Sequence, residues 1–289
     1  MEINRNQFEV LSSKAMECSN RYADADEVEQ IMEELERRGF LSEGIITERG
    51  ISVLEQYRVK RAIFIAAGYG SRLKPITINT PKPLVRVHGV RIIDRLIDAC
   101  LSAGIEEIYI VRGYLAEQFD QLKYKYPMIR FIENTMFSEA NNISSAVLAK
   151  SLLSNAYVFE ADLLLSNPSI IKKYQYTSNF LAIKKEESDD WCFEVQDGAI
   201  AEEKIGGSGD NNWQMVGISY WSTKDGEQLG RDLPEVFAQQ GGKNCYWEQV
   251  PLVYRKENYR VEVRPCNETD IVEIDTFEEL KALDQEYSV

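Results

Sequence analysis

The segment 61–84, RAIFIAAGYGSRLKPITINTPKPL, constrains this chain more than any other. An apolar, β-prone run at 62–67 predicts a buried strand, and a glycine-rich turn at 68–72 follows it directly. Glycines let backbone N–H groups approach a phosphate chain, and Arg72 adds a planar cation that suits phosphate oxygens. Further along, Lys82 stands between two prolines that restrict its backbone. The segment therefore predicts a polyphosphate site, although it matches neither the Walker loop nor the dinucleotide fingerprint.

The composition indicates a folded, acidic protein with room for one large and one small domain. With 44% hydrophobic residues among 289, a substantial core is expected. The formal charge of -14 argues against general affinity for nucleic acid or an anionic membrane. The start of the chain has no secretory signal, and no apolar run is long enough to span a bilayer. The five scattered cysteines lack any CxxC spacing, which favours a cytoplasmic location and no zinc site: Cys18, Cys100, Cys192, Cys245 and Cys266.

Residues 1–58 are predicted to form a separate unit that resembles a winged-helix domain. Amphipathic helices are predicted at 6–15 and 26–38, followed by a short extended piece near 45–47 and a helix at 51–57. DNA binding would be the usual role of that fold. However, residues 1–60 hold 13 acidic against 8 basic side chains, and little chain separates the first two helices. We therefore favour packing, regulation or formation of a homodimer over operator binding.

From residue 59 to 289 strands and helices alternate, which predicts an α/β, Rossmann-like domain with a mostly parallel sheet. A strand is expected at 156–165, and a helix at 141–153 that Asn141 and Asn142 would open with a capping-type start. Ligands in such sheets gather beyond the carboxyl ends of the strands. The glycine turn, Tyr114, Asn142 and Asp162 all fall at such ends.

Two aspartates far apart in the sequence are candidate ligands of Mg²⁺. Asp162 lies in an otherwise apolar strand, where an isolated carboxylate would need a metal, a cation or water. Asp275 ends another predicted strand, at 270–275. Carboxylate oxygens are suitable Mg²⁺ ligands, although Asp275 precedes a helix and could simply cap it.

The long gapped match from Ala66 to Leu84 resembles the signature of nucleotidyltransferases. Further matches, such as Trp247-Glu248 and Glu273-Ile274-Asp275, narrow the resemblance to bacterial CTP:phosphocholine cytidylyltransferases. Some members of that family carry a winged-helix-like N-terminus. The resemblance implies that Asp162 and Asp275 bind Mg²⁺ and that Arg72 and Lys82 act with them in catalysis. It also implies that nucleotide binding falls to Ala66, Ala67, Gly68, Tyr69, Gly70, Ser71, Arg72, Gly113, Tyr114, Asn142 and Ser144.

The expected reaction transfers a cytidylyl group from CTP to phosphocholine, giving CDP-choline and pyrophosphate. A phosphate monoester is mostly a dianion at neutral pH, so its oxygen needs no general base. Lys82 would bridge the α-phosphate and the incoming phosphate. A quaternary ammonium cannot donate hydrogen bonds, so aromatic faces and carboxylates must recognise it. The candidates for that pocket are Trp191, Trp213, Tyr220, Trp247 and Glu248.

Three alternatives remain at the level of the sequence. A sugar-1-phosphate nucleotidyltransferase would share the phosphate loop and the metal. A phosphoethanolamine or aminophosphonate enzyme would need more carboxylates and fewer rings around a primary ammonium. A nucleotide-sensing, DNA-binding regulator would belong to another class, but the joint presence of Arg72, Lys82, Asp162 and Asp275 argues against a domain that has lost its chemistry.

Overall fold

The computed structural model describes residues 2–16 and 25–288, which divide into two compact units. The first unit contains the chain up to Val59 together with Lys173–Tyr176, and the second contains Lys60–Lys172 and the chain from Thr177 onwards. Cys18 and the short connection between the first two helices lie outside the described residues. Within residues 2–16 and 25–288, no helix is both long enough and apolar enough to cross a membrane.

The first unit is mainly helical. The Asn4 side chain caps its first helix by accepting a hydrogen bond from the Gln7 N–H, and the Gln7 side-chain oxygen accepts one from the Asn4 backbone N–H. Apolar side chains from all the helices form its core. Its elements are α1 (Arg5–Ala15), α2 (Ala25–Arg37), β1 (Leu41–Ser42), β2 (Ile45–Ile46) and α3 (Glu48–Leu54). The predicted helices and extended piece are present, whereas the winged-helix assignment stays a prediction.

Four residues from the middle of the sequence complete this first unit. The Tyr57 and Tyr176 rings stack with their centroids 5.3 Å apart. The Phe8 ring packs against both, with its centroid 5.0 Å from that of Tyr57 and 5.3 Å from that of Tyr176. The Gln175 N–H donates to the Tyr57 carbonyl, and the Val59 N–H donates to the Lys173 carbonyl. This contribution of a distant segment to the first unit was not predicted from the sequence.

The second unit is built on a nine-stranded sheet. In order across the sheet the strands are β10, β14, β12, β11, β13, β8, β3, β6 and β7, with a further pairing between β10 and β13. The strands of the unit are β3 (Arg61–Ala66), β4 (Arg86–Val87), β5 (Val90–Arg91), β6 (Glu107–Arg112), β7 (Arg130–Glu133), β8 (Ala156–Glu160), β9 (Leu163–Leu165), β10 (Asn179–Lys184), β11 (Glu187–Gln196), β12 (Ala199–Ser208), β13 (Asn212–Trp221), β14 (Glu262–Cys266) and β15 (Ile271–Glu273). Its α-helices are α4 (Ile92–Ser102), α5 (Ile143–Leu148), α6 (Thr223–Phe237) and α7 (Phe277–Leu283).

The predicted α/β, Rossmann-like class is confirmed, and its parallel character lies in one half of the sheet. β8, β3, β6 and β7 run parallel, and Ala62, Ile63 and Phe64 are all buried, as expected for a strand covered on both faces. β13 joins β8 antiparallel, and most pairings among β10 to β14 are antiparallel. The complete sheet is therefore mixed.

Two local predictions next to the site were wrong. The single strand expected at 156–165 is interrupted after Glu160, and β9 leaves the large sheet to pair antiparallel with β15. This break places Asp162 in the connection, where its carbonyl accepts the Ile274 N–H at 3.2 Å. Asn142 does not cap α5 with its side chain, because its amide oxygen accepts the Trp247 N–H at 2.8 Å instead.

Candidate active site

The glycine turn that follows β3 is shaped by close packing against the segment that carries Lys82. Gly70 has a φ of +59°, in the left-handed region that favours glycine. A β-carbon at Gly70 would lie 3.0 Å from the Lys82 Cβ and 3.1 Å from the Thr77 Cγ2. The buried Thr77 hydroxyl also donates to the Gly70 carbonyl at 2.8 Å. The two halves of the motif therefore fix each other's position.

Lys82 lies at the centre of a network of ion pairs. Its Nζ is 2.8 Å from Asp162 Oδ2 and 3.0 Å from Asp275 Oδ1, and the residue is only 8% exposed. Arg72 reaches the other oxygen of Asp275 at 2.7 Å while its side chain stays largely exposed. Burial alone would lower the pKa of Lys82, but the two aspartates outweigh it and raise that pKa above its ordinary value. The ammonium group is therefore charged at neutral pH.

An open cavity of about 280 Å³ lies over this network. The predicted residues that line it come from the glycine turn, the lysine segment and both aspartates: Ala66, Gly68, Gly70, Ser71, Arg72, Lys82, Asp162 and Asp275. Glycine N–H groups and two cations on one wall make the cavity suitable for a polyphosphate.

Tyr69 and the residues after β6 form a rim beside this turn. The exposed Tyr69 ring packs against Tyr114 and Phe137, with centroids 5.1 and 5.3 Å apart. The Tyr114 hydroxyl donates to the carbonyls of Thr77 and Ile78 at 2.9 and 3.0 Å. A β-carbon at Gly113 would come within 2.8 Å of the Phe137 ring, so glycine is needed there. These residues hold the turn and expose one aromatic face.

Two predicted nucleotide-binding residues have other partners in the structure. Ser144 is fully buried, accepts a hydrogen bond from the Asn134 amide and donates one to the Asn141 carbonyl. The Asn142 side chain bonds the Trp247 N–H and the Glu248 carboxyl group. The structure does not bring Ser144 to the cavity, and it places Asn142 beside the residues predicted to bind the acceptor.

Three carboxyl groups could hold a divalent cation. Glu160, Asp162 and Glu273 each offer an oxygen, and these oxygens lie within 4.8 Å of one another. Asp162 Oδ1 is buried without a hydrogen-bond partner among the described residues. Burial, followed by the charges of Asp162 and Glu160, raises the pKa of Glu273 to about 10. A cluster of oxygens in which one buried atom lacks a partner fits Mg²⁺, which prefers carboxylate ligands.

Glu160 and Glu273 were not among the predicted metal ligands, although the sequence carries a signal for them. Each stands two positions before a predicted aspartate, as Glu160-Ala161-Asp162 and Glu273-Ile274-Asp275. Asp275, in contrast, is occupied by Lys82 and Arg72 in the structure. The candidate metal ligands in the structure are therefore Glu160, Asp162 and Glu273, and Asp162 is the residue that they share with the predicted pair.

One face of β13 carries Trp213, one of the predicted acceptor residues. Alternation along the strand places Trp213, Met215 and Gly217 on that face. A β-carbon at Gly217 would lie 2.5 Å from Glu160 Oε2, so the glycine makes room for this carboxyl group. The strand register places Phe193 beside Trp213 and Glu203 beside Phe193. Paired residues on neighbouring strands share a face, which puts Glu203 on the same surface.

The four aromatic residues predicted to bind choline differ in their burial and in their packing partners. Trp191 is half-buried and meets the exposed Tyr246 ring edge-on, with centroids 5.6 Å apart, and Trp213 is also half-buried. Trp247 is buried and stacks on Phe180. The structure does not bring Tyr220 to this group: its ring packs against Tyr157, and its hydroxyl donates to Asn155 Oδ1.

Glu203 and Glu248 carry buried oxygens without partners. Both Glu203 oxygens and Glu248 Oε2 have no hydrogen-bond partner among the described residues, and Glu248 is only 3% exposed. Burial raises the pKa of Glu203 to about 7. Burial also raises the pKa of Glu248 to about 8, with the charge of Glu203 contributing and two hydrogen bonds opposing. Burial and then the charge of Glu248 raise the pKa of Glu160, so Glu248 lies within electrostatic reach of both Glu160 and Glu203.

Comparison with known proteins agrees with this geometry. The family model described as nucleotidyl transferase matches residues 61–199. The chain is 36% identical to a 2-aminoethylphosphonate cytidylyltransferase from Lancefieldella rimae, over 78% of this chain and 92% of that protein. It is 33% identical to a choline-phosphate cytidylyltransferase from Haemophilus influenzae, over 75% of this chain and 93% of that protein.

A solved structure shows the same architecture. The CTP:phosphocholine cytidylyltransferase from Streptococcus pneumoniae superposes with a TM-score of 0.72 at 29% identity, covering 79% of this chain and 99% of that one. The nucleotidyltransferase family predicted from the sequence is thereby confirmed, whereas the narrower resemblance to phosphocholine enzymes stays a prediction. With relatives above 30% identity matched over nearly their whole length, this chain belongs to the nucleotidyl transferase family.

Proposed function

We propose that the protein transfers the cytidylyl group of CTP to a short phosphate or phosphonate acceptor that carries an ammonium group, releasing pyrophosphate. Cytidylyl transfer to a phosphate-containing substrate is supported by the relatives of the chain. Phosphocholine is the acceptor predicted from the sequence, and 2-aminoethylphosphonate is the acceptor that the name of the Lancefieldella relative indicates.

One observation carries the proposal. Lys82 and Arg72 converge on Asp275 beneath the glycine turn, and Asp162 shares the same ammonium group. A nucleoside triphosphate in the adjoining cavity would receive backbone N–H donors from the turn and positive charge from both cations. The face of β13 provides a separate surface beyond Glu160 for the acceptor.

The reaction needs positioning and charge stabilisation rather than a general base. An oxygen of the acceptor dianion attacks the α-phosphorus, a new P–O bond forms, and the bond to the β-phosphate oxygen breaks so that its electron pair leaves with pyrophosphate. The Lys82 ammonium is placed to stabilise the charge that develops during this exchange. The single histidine, His88, is exposed with its Nδ1 facing Asp284, and it does not line the cavity over Lys82.

Mg²⁺ is the proposed cofactor. Asp162 with Glu160 and Glu273 would hold it, and Asp275 could join them if it exchanged its cationic partners. When bound, the ion would neutralise phosphate oxygens as a Lewis acid.

The remaining predictions concern the first unit and the cellular setting. We propose that the first unit serves packing, regulation or homodimer formation rather than operator binding, because its sequence is acidic. We also propose a cytoplasmic location, since the described cysteines, Cys100, Cys192, Cys245 and Cys266, are free and buried.

Pyrophosphate release across a panel of nucleoside triphosphates and acceptors tests the function. We expect CTP to be preferred and an ammonium-bearing phosphate or phosphonate to be turned over. We expect Lys82→Met to lower kcat by about 100- to 1,000-fold, the usual effect of removing a charge-stabilising donor from a reacting phosphate or oxyanion.

The matched control for this substitution is Lys150→Met, which changes an exposed lysine in the same unit. It should leave the rate within about twofold of the wild type, because exposed surface changes have small effects. Turnover of a sugar 1-phosphate in preference to every ammonium-bearing acceptor would reject the acceptor assignment. A normal rate for Lys82→Met would reject the proposed role of the lysine.

A further inference from the structure

Glu203 and Glu248 carry unpartnered carboxyl oxygens, and these oxygens bear on which acceptor the protein selects. Resting on the proposed function, we infer that Glu203 is a specificity-determining residue that acts with Glu248 to select an acceptor with a primary ammonium group over one with a trimethylammonium group. Glu248 was predicted to contact a choline group, whereas Glu203 was not among the predicted residues.

The first argument is the number of free acceptor atoms. Glu203 Oε1, Glu203 Oε2 and Glu248 Oε2 are buried and lack hydrogen-bond partners among the described residues. A primary ammonium group has three N–H donors. Leaving a buried carboxylate oxygen unpaired is costly, so a ligand that donates to it gains the most affinity. Three free acceptors therefore match the three donors of a primary ammonium.

Among the described residues, no lysine or arginine is found to neutralise Glu203 or Glu248. Burial is the single resolved cause of the raised pKa of Glu203, and no described lysine or arginine lowers it. The two influences that lower the pKa of Glu248 are hydrogen bonds from a backbone N–H and from Asn142. A positive ligand would supply the missing charge.

The aromatic residues form only part of the cage that a trimethylammonium group would need. A trimethylammonium group has no N–H, so its recognition depends on aromatic faces around the methyl groups. Of the four aromatic residues predicted for that task, Trp247 is stacked on Phe180 and Tyr220 is turned towards Tyr157. Trp191 and Trp213 remain partly accessible. Two accessible rings beside three unpaired oxygens favour hydrogen bonding over a complete aromatic cage.

The test is an acceptor series that differs only in N-methylation: phosphoethanolamine, its N-methyl and N,N-dimethyl derivatives, and phosphocholine. For the wild type we expect kcat/KM with CTP to fall at least about tenfold from the primary to the trimethylated member, the size expected when hydrogen bonds to charged groups are lost. Glu203→Gln should lower kcat/KM for phosphoethanolamine by about tenfold or more and change phosphocholine by less than about threefold.

Glu202→Gln is the matched control, because it removes the same charge from the exposed neighbour on β12. It should leave the order of acceptors unchanged. Equal or better use of phosphocholine by the wild type would overturn the inference while leaving the proposed function intact. So would a Glu203→Gln enzyme in which all four acceptors decline by the same factor.

Calorimetric binding of phosphoethanolamine and phosphocholine to the wild type and to Glu203→Gln separates this inference from the proposed function. Failure of CTP to yield pyrophosphate with every acceptor, including 2-aminoethylphosphonate, would reject cytidylyl transfer. In that event, tighter binding of phosphoethanolamine that depends on Glu203 would still support the selection, and equal binding of both ligands would overturn it.

Discussion

Single residues in this site differ in whether the protein itself neutralises their charge. Lys82 is buried but has two aspartates as partners, which keep it charged. Glu203 is buried on a strand of the same unit without any such partner. A buried carboxyl group of this kind is protonated more easily than one in water, because burial disfavours the charged form. The difference gives Glu203 an effect on stability that can be measured.

The stability of the ligand-free protein should fall as pH rises, in part through Glu203. Its pKa is about 7 in the folded protein against 4.5 normally, so the folded state holds more protons between these values. The stabilising contribution is therefore complete below pH 4.5 and is lost as pH rises through 7, an effect of about 3 kcal/mol. Urea unfolding at pH 5 and pH 8 should show a correspondingly smaller loss for Glu203→Gln. An unchanged loss, equal to that of Glu202→Gln, would contradict the prediction.

At the scale of elements, the site depends on a strand interruption after Glu160 and on the missing side chain at Gly217. The chain leaves the large sheet after Glu160, and β9 pairs with β15, which precedes Asp275. This pairing explains how carboxyl groups more than a hundred residues apart in sequence meet. Gly217 of β13 then leaves space for the Glu160 carboxyl group.

Gly217→Ala should weaken the metal site without unfolding the sheet. The added methyl group would come within 2.5 Å of Glu160 Oε2 and displace that carboxyl group from Asp162 and Glu273. We expect the magnesium concentration for half-maximal activity to rise about tenfold, as for other changes that disturb ligand orientation. Gly198→Ala is the control for an added methyl group away from the carboxylates: no atom lies within 4 Å of it, and its φ of +74° confines the strain to the turn between β11 and β12, so the magnesium titration is the quantity compared. Identical magnesium titrations for both variants would argue against Glu160 as a ligand.

At the scale of the whole molecule, local patterns in the sequence predicted much of the fold, but not the contacts between distant segments. The turn at Gly70 and the alternation of strands and helices are local signals, and both are confirmed. Glu203 was missed because its face depends on the register of β11, β12 and β13, which no short pattern encodes. The role of Tyr176 was missed for the same reason, since its partners are more than a hundred residues away.

Because Lys173–Tyr176 belong to the first unit, a substitution at Tyr176 should destabilise helices near the N-terminus, more than a hundred residues earlier in the sequence. Tyr176 stacks on Tyr57, contacts Phe8, and donates to the Ile3 carbonyl at 3.3 Å. Removing this half-buried ring in Tyr176→Ala should cost about 2–3 kcal/mol, somewhat less than for a fully buried ring. Hydrogen exchange should then accelerate at the amides of α1 and α3 and stay unchanged in β3 and β6.

Tyr124→Ala provides the control for that experiment, since Tyr124 is 94% exposed and its ring can be lost with little effect. Both variants remove a tyrosine, so a difference between them reports on packing rather than on composition. If α1 and α3 exchanged at wild-type rates in Tyr176→Ala, the first unit would be stable without its inserted segment. Faster exchange confined to those helices would instead show that four residues from the middle of the chain are part of the N-terminal unit's core.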